Sequence, residues 1–341
     1  MSQLTRVVLA LAVLSCAWLP VAGAQHSGEV NIYSYRQPFL VEPLFEAFTR
    51  DTGIKVNVVF AREGLVERLA QEGRNSPADL LLTTDIGVLL DAVKAGLAAP
   101  VGTPKLEAAV PAQYRDPEGL WYGLTVRARI IVTAKDRVTP GAITRYEDLA
   151  SPELKGRICT RSGKHLYNVA LIGSMIAHHG EAEAEQWLRG VKANLAQRPQ
   201  GNDRAQVKAI TEGVCDVAII NSYYMGAMLA DPEQRAWAES VNIVFPNQDD
   251  RGTHVNISGV LLTQNPPNHD NAVRLLEFLT DDQAQEIYAE SNNEYPVKPG
   301  VKASALLSSW GDFEADELPL AKIAELRGDA IRMVDRVGYD E

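Results

Sequence analysis

The stretch Cys215–Tyr224, CDVAIINSYY, decides the fold and indicates where a ligand binds. Residues 217–220 predict a buried strand, and the polar residues that follow predict a turn ending in two adjacent tyrosines. Neighbouring strand residues point to opposite faces, so Tyr223 and Tyr224 converge only if the backbone turns there, as where a strand enters a helix. Both phenols would then lie at the mouth of a cleft. Alternatively, one ring packs in the core and the other faces solvent, because tyrosine often buries its ring and keeps its hydroxyl wet.

Length, composition and charge limit the class of protein. A chain of 341 residues suggests two domains. Its 46% hydrophobic and 23% charged residues are ordinary for a soluble globular protein with a sizeable core. The formal net charge of −11 argues against nucleic acid or an anionic membrane surface as the main partner.

The N-terminus carries the pattern of an export signal. Arg6 precedes an apolar run at 7–17, and small residues at 21–24 offer a cleavage site. We therefore predict a signal peptide at residues 1–24, which is too short in its apolar part to span a bilayer. The alternative is a lipoprotein signal cleaved before Cys16, but the apolar run continues past that cysteine.

Two cysteines remain in the mature chain, Cys159 and Cys215. An even number of cysteines in an exported protein favours a disulfide over free thiols. Two cysteines without a CxxC spacing do not make a zinc site. We therefore predict a Cys159–Cys215 bond.

Strand and helix patterns alternate through the chain. The first half predicts strands at 30–35, 54–60 and 78–84, and the last of these is a continuous apolar run typical of a parallel sheet covered on both faces. The second half predicts a helix at 181–195 and the strand at 216–220. This alternation indicates an α/β fold.

Two unusually long strand patterns lie at 120–134 and 252–262. They predict two lobes hinged by crossing strands, with the ligand in the cleft between the lobes. The predicted N-terminal lobe is 25–127 plus 252–302, and the predicted C-terminal lobe is 128–251 plus 303–341.

Several motifs extend over the whole mature chain. They are SYRQP at 34–38, YGLTVRARIIV at 122–132, YEDLASPELKGRICTRSG at 146–163, NSYYMG at 221–226, HVNISGV at 254–260 and NNEYPV at 292–297. Together they resemble the periplasmic ferric-ion-binding proteins that feed ABC iron importers. The YEDLA segment alone marks only the wider solute-binding superfamily, whereas SYRQP together with SYY is specific to the ferric binders.

The resemblance implies a two-lobed clamp that holds Fe³⁺ through tyrosines, which carry over to Tyr167, Tyr223 and Tyr224. Gln37 and Thr84 stand where other branches of the family have histidine and glutamate ligands, and Pro38 stands where one branch has a further tyrosine. The chain therefore resembles the branch with three tyrosines, in which a bound carbonate or bicarbonate completes the coordination. By the same resemblance the protein is periplasmic, acts as a monomer and delivers iron to an inner-membrane ABC permease.

The chemistry of these residues suits that ligand. Fe³⁺ is a hard cation that prefers oxygen donors, and tyrosine is an established iron ligand. Three phenolates neutralise the ion and leave coordination positions for a chelating anion. Arg36, Gln37 and Arg127 are the predicted anion contacts, because a guanidinium offers planar paired donors to a carbonate. Alternatively, the arginines at 127 and 129 only pair with acidic residues.

Other functions remain open from sequence. The same fold could bind a small organic solute such as thiamine or a polyamine. The chain has no GxSxG or HExxH motif, so we predict that it is not an enzyme. Tyr33 and Tyr35 share a strand face, and neither is assigned to the metal.

Overall fold

The computed structural model describes residues 28–341. The predicted signal peptide and Cys16 lie outside the described residues. Within the described range, no helix is both long enough and apolar enough to cross a bilayer.

The strands are β1 (Gly28–Ser34), β2 (Ile54–Phe60), β3 (Leu80–Thr83), β4 (Ala98–Ala99), β5 (Tyr122–Ala134), β6 (Ile158–Cys159), β7 (Val217–Asn221), β8 (Val241–Val244), β9 (Val255–Thr263) and β10 (Tyr295–Pro296). The helices of the first half are α1 (Pro38–Thr52), α2 (Leu65–Glu72), α3 (Ile86–Lys94), α4 (Pro104–Ala109) and α5 (Leu166–Ala193). Those of the second half are α6 (Asp203–Thr211), α7 (Tyr223–Ala230), α8 (Arg235–Glu239), α9 (His269–Leu279), α10 (Asp282–Asn292), α11 (Ala305–Ser308), α12 (Leu320–Glu325) and α13 (Arg327–Val337).

Strand β5 joins the two parts of the sheet. It is antiparallel to β9 over residues 122–128 and to β7 over residues 129–133. On the far side of β9, strands β3, β1 and β2 complete the order β2-β1-β3-β9-β5-β7-β6. The predicted crossing strands correspond to β5 and β9, which are buried along their whole length. The predicted α/β class is therefore confirmed.

Three groups of buried apolar side chains pack on this sheet. The first surrounds β1, β3 and β9 with α1, α3, α9 and α10. The second and third lie on opposite faces of β7, so Ile219 belongs to the core formed with α5 and α13, while Ile220 belongs to the core formed with α6 and α7. A strand covered on both faces has no polar side, which explains the unbroken apolar run in its sequence.

The last two helices pack on different cores. Leu320 and Ile323 of α12 belong to the first core, whereas Met333 and Val334 of α13 belong to the second. The C-terminal segment therefore bridges the two parts of the molecule. The lobe boundaries given above stay a prediction.

Helix α5 consists of two helical parts. The predicted helix at 181–195 corresponds to the second part, which is separated from the first by non-helical backbone at Gly180, with φ 79° and ψ 166°. This positive φ is accessible to glycine at little cost.

The predicted disulfide is confirmed. Cys159 in β6 and Cys215, just before β7, are bonded with a Cα–Cα distance of 5.9 Å. Parallel pairing of β6 with β7 brings the two cysteines together, since residue 159 lies opposite residue 218. The bond therefore fixes the base of the strand that leads to the tyrosine pair.

Candidate metal centre

The three predicted tyrosines lie together, and we call them the tyrosine wall. Tyr223 and Tyr224 begin α7 directly after β7, as the turn in the sequence predicts, and their ring centres are 4.4 Å apart. Tyr167 lies in the first turn of α5, and its hydroxyl oxygen is 2.9 Å from that of Tyr223. Two helix starts therefore converge on one point.

Local contacts fix both helix starts. The Ser222 N–H donates to the carbonyl of Ala128, which ties the turn after β7 to strand β5. His165 caps α5 by accepting a hydrogen bond from the Tyr167 N–H through Nδ1. Burial lowers the pKa of His165 to about 3, with a smaller effect from Arg161. The imidazole is therefore neutral at neutral pH and free to accept.

A buried carboxylate supports the tyrosine wall from behind. Asp203 accepts from Arg129 at 2.7 Å and from Arg161 at 2.9 Å, and it also accepts from the Asn221 N–H at the end of β7. Arg129 is therefore held by an acidic residue, as the alternative interpretation of the two arginines allowed. Sequence reasoning missed Asp203, because its partners lie on three separate segments.

Burial keeps the phenols of Tyr167 and Tyr223 protonated in the absence of a ligand. It raises the pKa of Tyr167 to about 12, and the neighbouring Tyr224 adds to this effect while Arg127 opposes it. It also raises the pKa of Tyr223 well above the ordinary value. A cation is needed to ionise such groups at neutral pH.

The opposite side of the cavity is an internally paired cluster of Arg36, Ser258 and Glu294, which we call the arginine–glutamate wall. Arg36 donates to both carboxylate oxygens of Glu294, at 2.8 and 3.2 Å, and to the Ser258 hydroxyl. Thr125 also donates to Glu294, at 3.0 Å. Glu294 was not predicted, although it lies in the NNEYPV motif.

Arg127 lies between the two walls. Its guanidinium is 5.7 Å from the centre of the Tyr167 ring and donates to the Thr84 carbonyl and, at 3.4 Å, to Ser258. Asp85 lies at the start of α3, where burial raises the pKa of its carboxyl group. The positive charge of Arg127 opposes this increase. A guanidinium has five N–H groups, so this arginine retains donors for a bound anion.

The two walls enclose a cavity of about 370 Å³. Its lining includes every predicted metal and anion residue, namely Arg36, Gln37, Arg127, Tyr167, Tyr223 and Tyr224. Tyr35 also lines it, although its hydroxyl accepts from the Val66 N–H at 2.9 Å. Tyr33 lies elsewhere and donates to Glu72. Only Tyr33 is therefore a clean control for the metal ligands.

One very tight contact lies beside the cavity, between α7 and the residue that follows α10. A β-carbon built on Gly226 of α7 would lie 2.3 Å from Cγ of Asn293, which follows α10. Asn293 itself has φ 55°. The helix that carries two of the tyrosines therefore approaches the first core at a point where only glycine fits.

The described residues contain no cluster of three or more His, Cys, Asp or Glu side chains that could hold a metal ion. The tyrosine wall is therefore the candidate metal centre in residues 28–341.

Comparison with known proteins agrees with this fold. The family described as bacterial extracellular solute-binding protein matches residues 75–310. Iron uptake protein A2 of Synechocystis sp. is 42% identical over 335 residues, which are 97% of this chain and 95% of that protein.

Two solved structures are also similar. The ferric iron-binding protein A of Mannheimia haemolytica, in an open conformation, is 52% identical with a TM-score of 0.88, over 92% of this chain and 99% of that one. The Trichodesmium protein in complex with iron and citrate is 43% identical with a TM-score of 0.88, over 92% of this chain and 100% of that one. These names are those of uptake and binding proteins, which agrees with the prediction that the chain is not an enzyme. The chain belongs to the bacterial extracellular solute-binding protein family.

Proposed function

We propose that the chain binds ferric iron in its cleft through Tyr167, Tyr223 and Tyr224 and delivers it, as a periplasmic monomer, to an inner-membrane ABC permease. The observation that carries this proposal is the 2.9 Å approach of two phenol oxygens beside a third tyrosine, in a cavity that separates two cores. The names of the relatives support iron as the cargo.

The protonated phenols give the binding a defined dependence on pH. Because burial raises the pKa of Tyr167 to about 12, the empty site holds its protons at neutral pH. Iron binding displaces those protons. Iron affinity therefore falls as the pH falls, which would favour release in acid.

A carbonate anion completes the coordination in this proposal. Fe³⁺ and three phenolates carry no net charge together, so the anion needs its own cationic partners. Arg127 supplies the positive charge, and the neutral amide of Gln37 supplies a further hydrogen-bond donor. Arg36 contributes to anion binding mainly by its positive charge beside the site, since two of its nitrogens already donate to Glu294 and Ser258.

The organic-solute alternative has weaker support. A polyamine site needs several carboxylates around the cleft. Among the described residues that line the cavity, Glu294 is the sole acidic side chain, and Arg36 already pairs with it.

Metal titration with a visible spectrum tests the proposal. The mature protein is stripped of metal and titrated with Fe³⁺ in buffers with and without bicarbonate, and bound iron is measured in parallel. We expect a phenolate-to-iron absorption band that grows to equimolar iron and is stronger in bicarbonate. Colourless protein without bound iron would overturn ferric binding, whereas a band indifferent to bicarbonate would remove only the anion.

A further inference from the structure

Three aromatic rings, which we call the aromatic stack, lie together outside the cavity. Phe245 and Phe313 are stacked face to face, with ring centres 4.6 Å apart and an interplanar angle of 1°. Tyr295 meets Phe313 edge to face, with ring centres 5.0 Å apart. Phe313 packs against both the first and the third core, whereas Tyr295 packs against the first and Phe245 against the third. The stack therefore spans two of the cores.

The outer rings of the stack are attached to strand β5 on either side of the point where it changes partner. Strand β10, which contains Tyr295, pairs with β5 at residue 126. Strand β8, which ends just before Phe245, pairs with β5 at residues 131–134. Between these two points β5 leaves β9 and joins β7. A bend of β5 in this interval would therefore move Tyr295 relative to Phe245.

The middle ring, Phe313, is held on the side of Phe245. The residue that follows Phe313 donates its N–H to the side chain of Gln248 at 2.7 Å, and its carbonyl accepts from the Thr253 N–H at 2.8 Å. Both partners lie in the loop between Phe245 and β9. A bend of β5 would therefore change the contact between Phe313 and Tyr295 and leave Phe313 stacked on Phe245.

The hydroxyl of Tyr295 is buried in the described arrangement and has no hydrogen-bond partner among residues 28–341. Burial, and to a smaller extent Asp312, raises the pKa of Tyr295, so the phenol keeps its proton. A buried donor without an acceptor costs free energy, because the hydrogen bond that it makes to water is lost. Moving Tyr295 away from Phe313 would return the hydroxyl to water. This hydroxyl therefore favours separation of the two rings.

The NNEYPV motif connects this contact to the cavity. Asn293, two residues before Tyr295, contacts Gly226 of α7, the helix that begins with two of the tyrosines. The residue between Asn293 and Tyr295 is Glu294 of the arginine–glutamate wall. A movement of Tyr295 away from Phe313 would therefore carry that wall away from the tyrosine wall and widen the cavity.

We propose that the hydroxyl of Tyr295 destabilises the arrangement in which the two walls lie together, and that it thereby sets the rate of iron release. The release step rests on the proposed ferric-ion binding, whereas the effect on the metal-free protein does not depend on iron. Bound iron supplies the free energy that holds the walls together against this hydroxyl. Loss of the ion shifts the population towards the wider cavity.

Tyr295→Phe tests this role, because it removes the hydroxyl and keeps the ring in the stack. Spin labels on Glu42→Cys in α1 and Glu233→Cys after α7, both exposed positions, measure the distance across the cavity in the metal-free mature protein. We expect the ratio of short to long distances to rise about 5- to 100-fold over wild type, the value of one unpaired buried hydroxyl. Iron release to excess chelator, measured without labels, should slow by a similar factor.

Tyr288→Phe is the matched control. The hydroxyl of Tyr288 is also buried without a partner among the described residues, but its ring lies within the first core. Its removal should raise the free energy of unfolding and leave the label distances and the release rate unchanged.

Two results would overturn the inference. One is a Tyr295→Phe protein whose label distances and release rate match wild type, and the other is an equal change in both measurements for Tyr288→Phe. Wild type that binds no iron would instead remove the proposed function, and the label distances alone would then decide the role of Tyr295.

Discussion

The two walls of the cavity differ in how their polar groups are satisfied. In the arginine–glutamate wall, Arg36 and Glu294 are both nearly inaccessible and neutralise each other. In the tyrosine wall, the hydroxyls of Tyr167 and Tyr223 pair mainly with one another and retain protons that burial makes hard to remove. The comparison teaches that binding capacity lies on the tyrosine wall, whose polar groups still lack a charged partner. The arginine–glutamate wall, whose polar groups are already paired, gives a fixed surface against which a ligand can be held.

The largest expected effect on iron affinity is on the tyrosine wall. Tyr223→Phe keeps the ring and removes the donor oxygen, so iron affinity should fall by more than about 100-fold, beyond the 10- to 100-fold typical of losing an outer partner of a metal ligand. Competition against a chelator of known affinity measures this loss. The visible band should shift or fade at the same time.

Tyr33→Phe is the control, because Tyr33 is a buried tyrosine whose hydroxyl bonds to Glu72 away from the cavity. Apo stability of Tyr223→Phe should change by about 1 kcal/mol, the value of one hydrogen bond. If Tyr223→Phe and Tyr224→Phe bind iron as wild type does, the tyrosine wall is not the metal centre.

The second effect concerns the scaffold under the tyrosine wall. Replacing Cys159 and Cys215 together by alanine opens a loop with a sequence separation of 56, which in the loop-entropy model costs about 4 kcal/mol of unfolding free energy. Chemical unfolding of the apo protein measures it. Iron affinity of the folded double variant should stay within about twofold of wild type, since the bond lies behind β7 and not in the cavity. A large loss of affinity with unchanged stability would show that the disulfide positions the ligands directly.

A smaller effect on stability than that of the disulfide is expected at the arginine–glutamate wall. Glu294→Gln leaves the buried charge of Arg36 without a counter-charge, so we expect the free energy of unfolding to fall by about 3 kcal/mol. This is at the low end for a broken buried pair, because the amide oxygen of the glutamine can still accept a hydrogen bond. Glu325→Gln, which breaks an exposed pair with Lys322, should cost less than about 1 kcal/mol. Equal stability of the two variants would mean that the Arg36–Glu294 pair does not stabilise the fold.

The sequence predicted correctly those strands and helices whose signals lie within a few neighbouring residues. The strand at 54–60 and the long strands β5 and β9 follow from apolar runs, and the start of α7 follows from the turn before Tyr223. Glu294 and Asp203 could not be found in this way. Glu294 pairs with an arginine 258 positions away, and nothing in the spacing of either residue indicates a partner at that distance. Tyr35 was missed as a lining residue because β1 ends at Ser34 and the chain turns towards the cavity.

The tight contact between Gly226 and Asn293 makes two distant positions depend on each other during evolution. A methyl group at 226 would overlap Cβ and Cγ of Asn293, so an alanine there is compatible with this close approach of α7 only if residue 293 becomes smaller. Position 293 has few alternatives, because its positive φ is readily adopted only by glycine, asparagine and aspartate. Glycine at 293 would relieve the overlap and keep the backbone conformation. Natural variation at these two positions is therefore expected to be coupled, with a larger residue at 226 appearing together with glycine at 293.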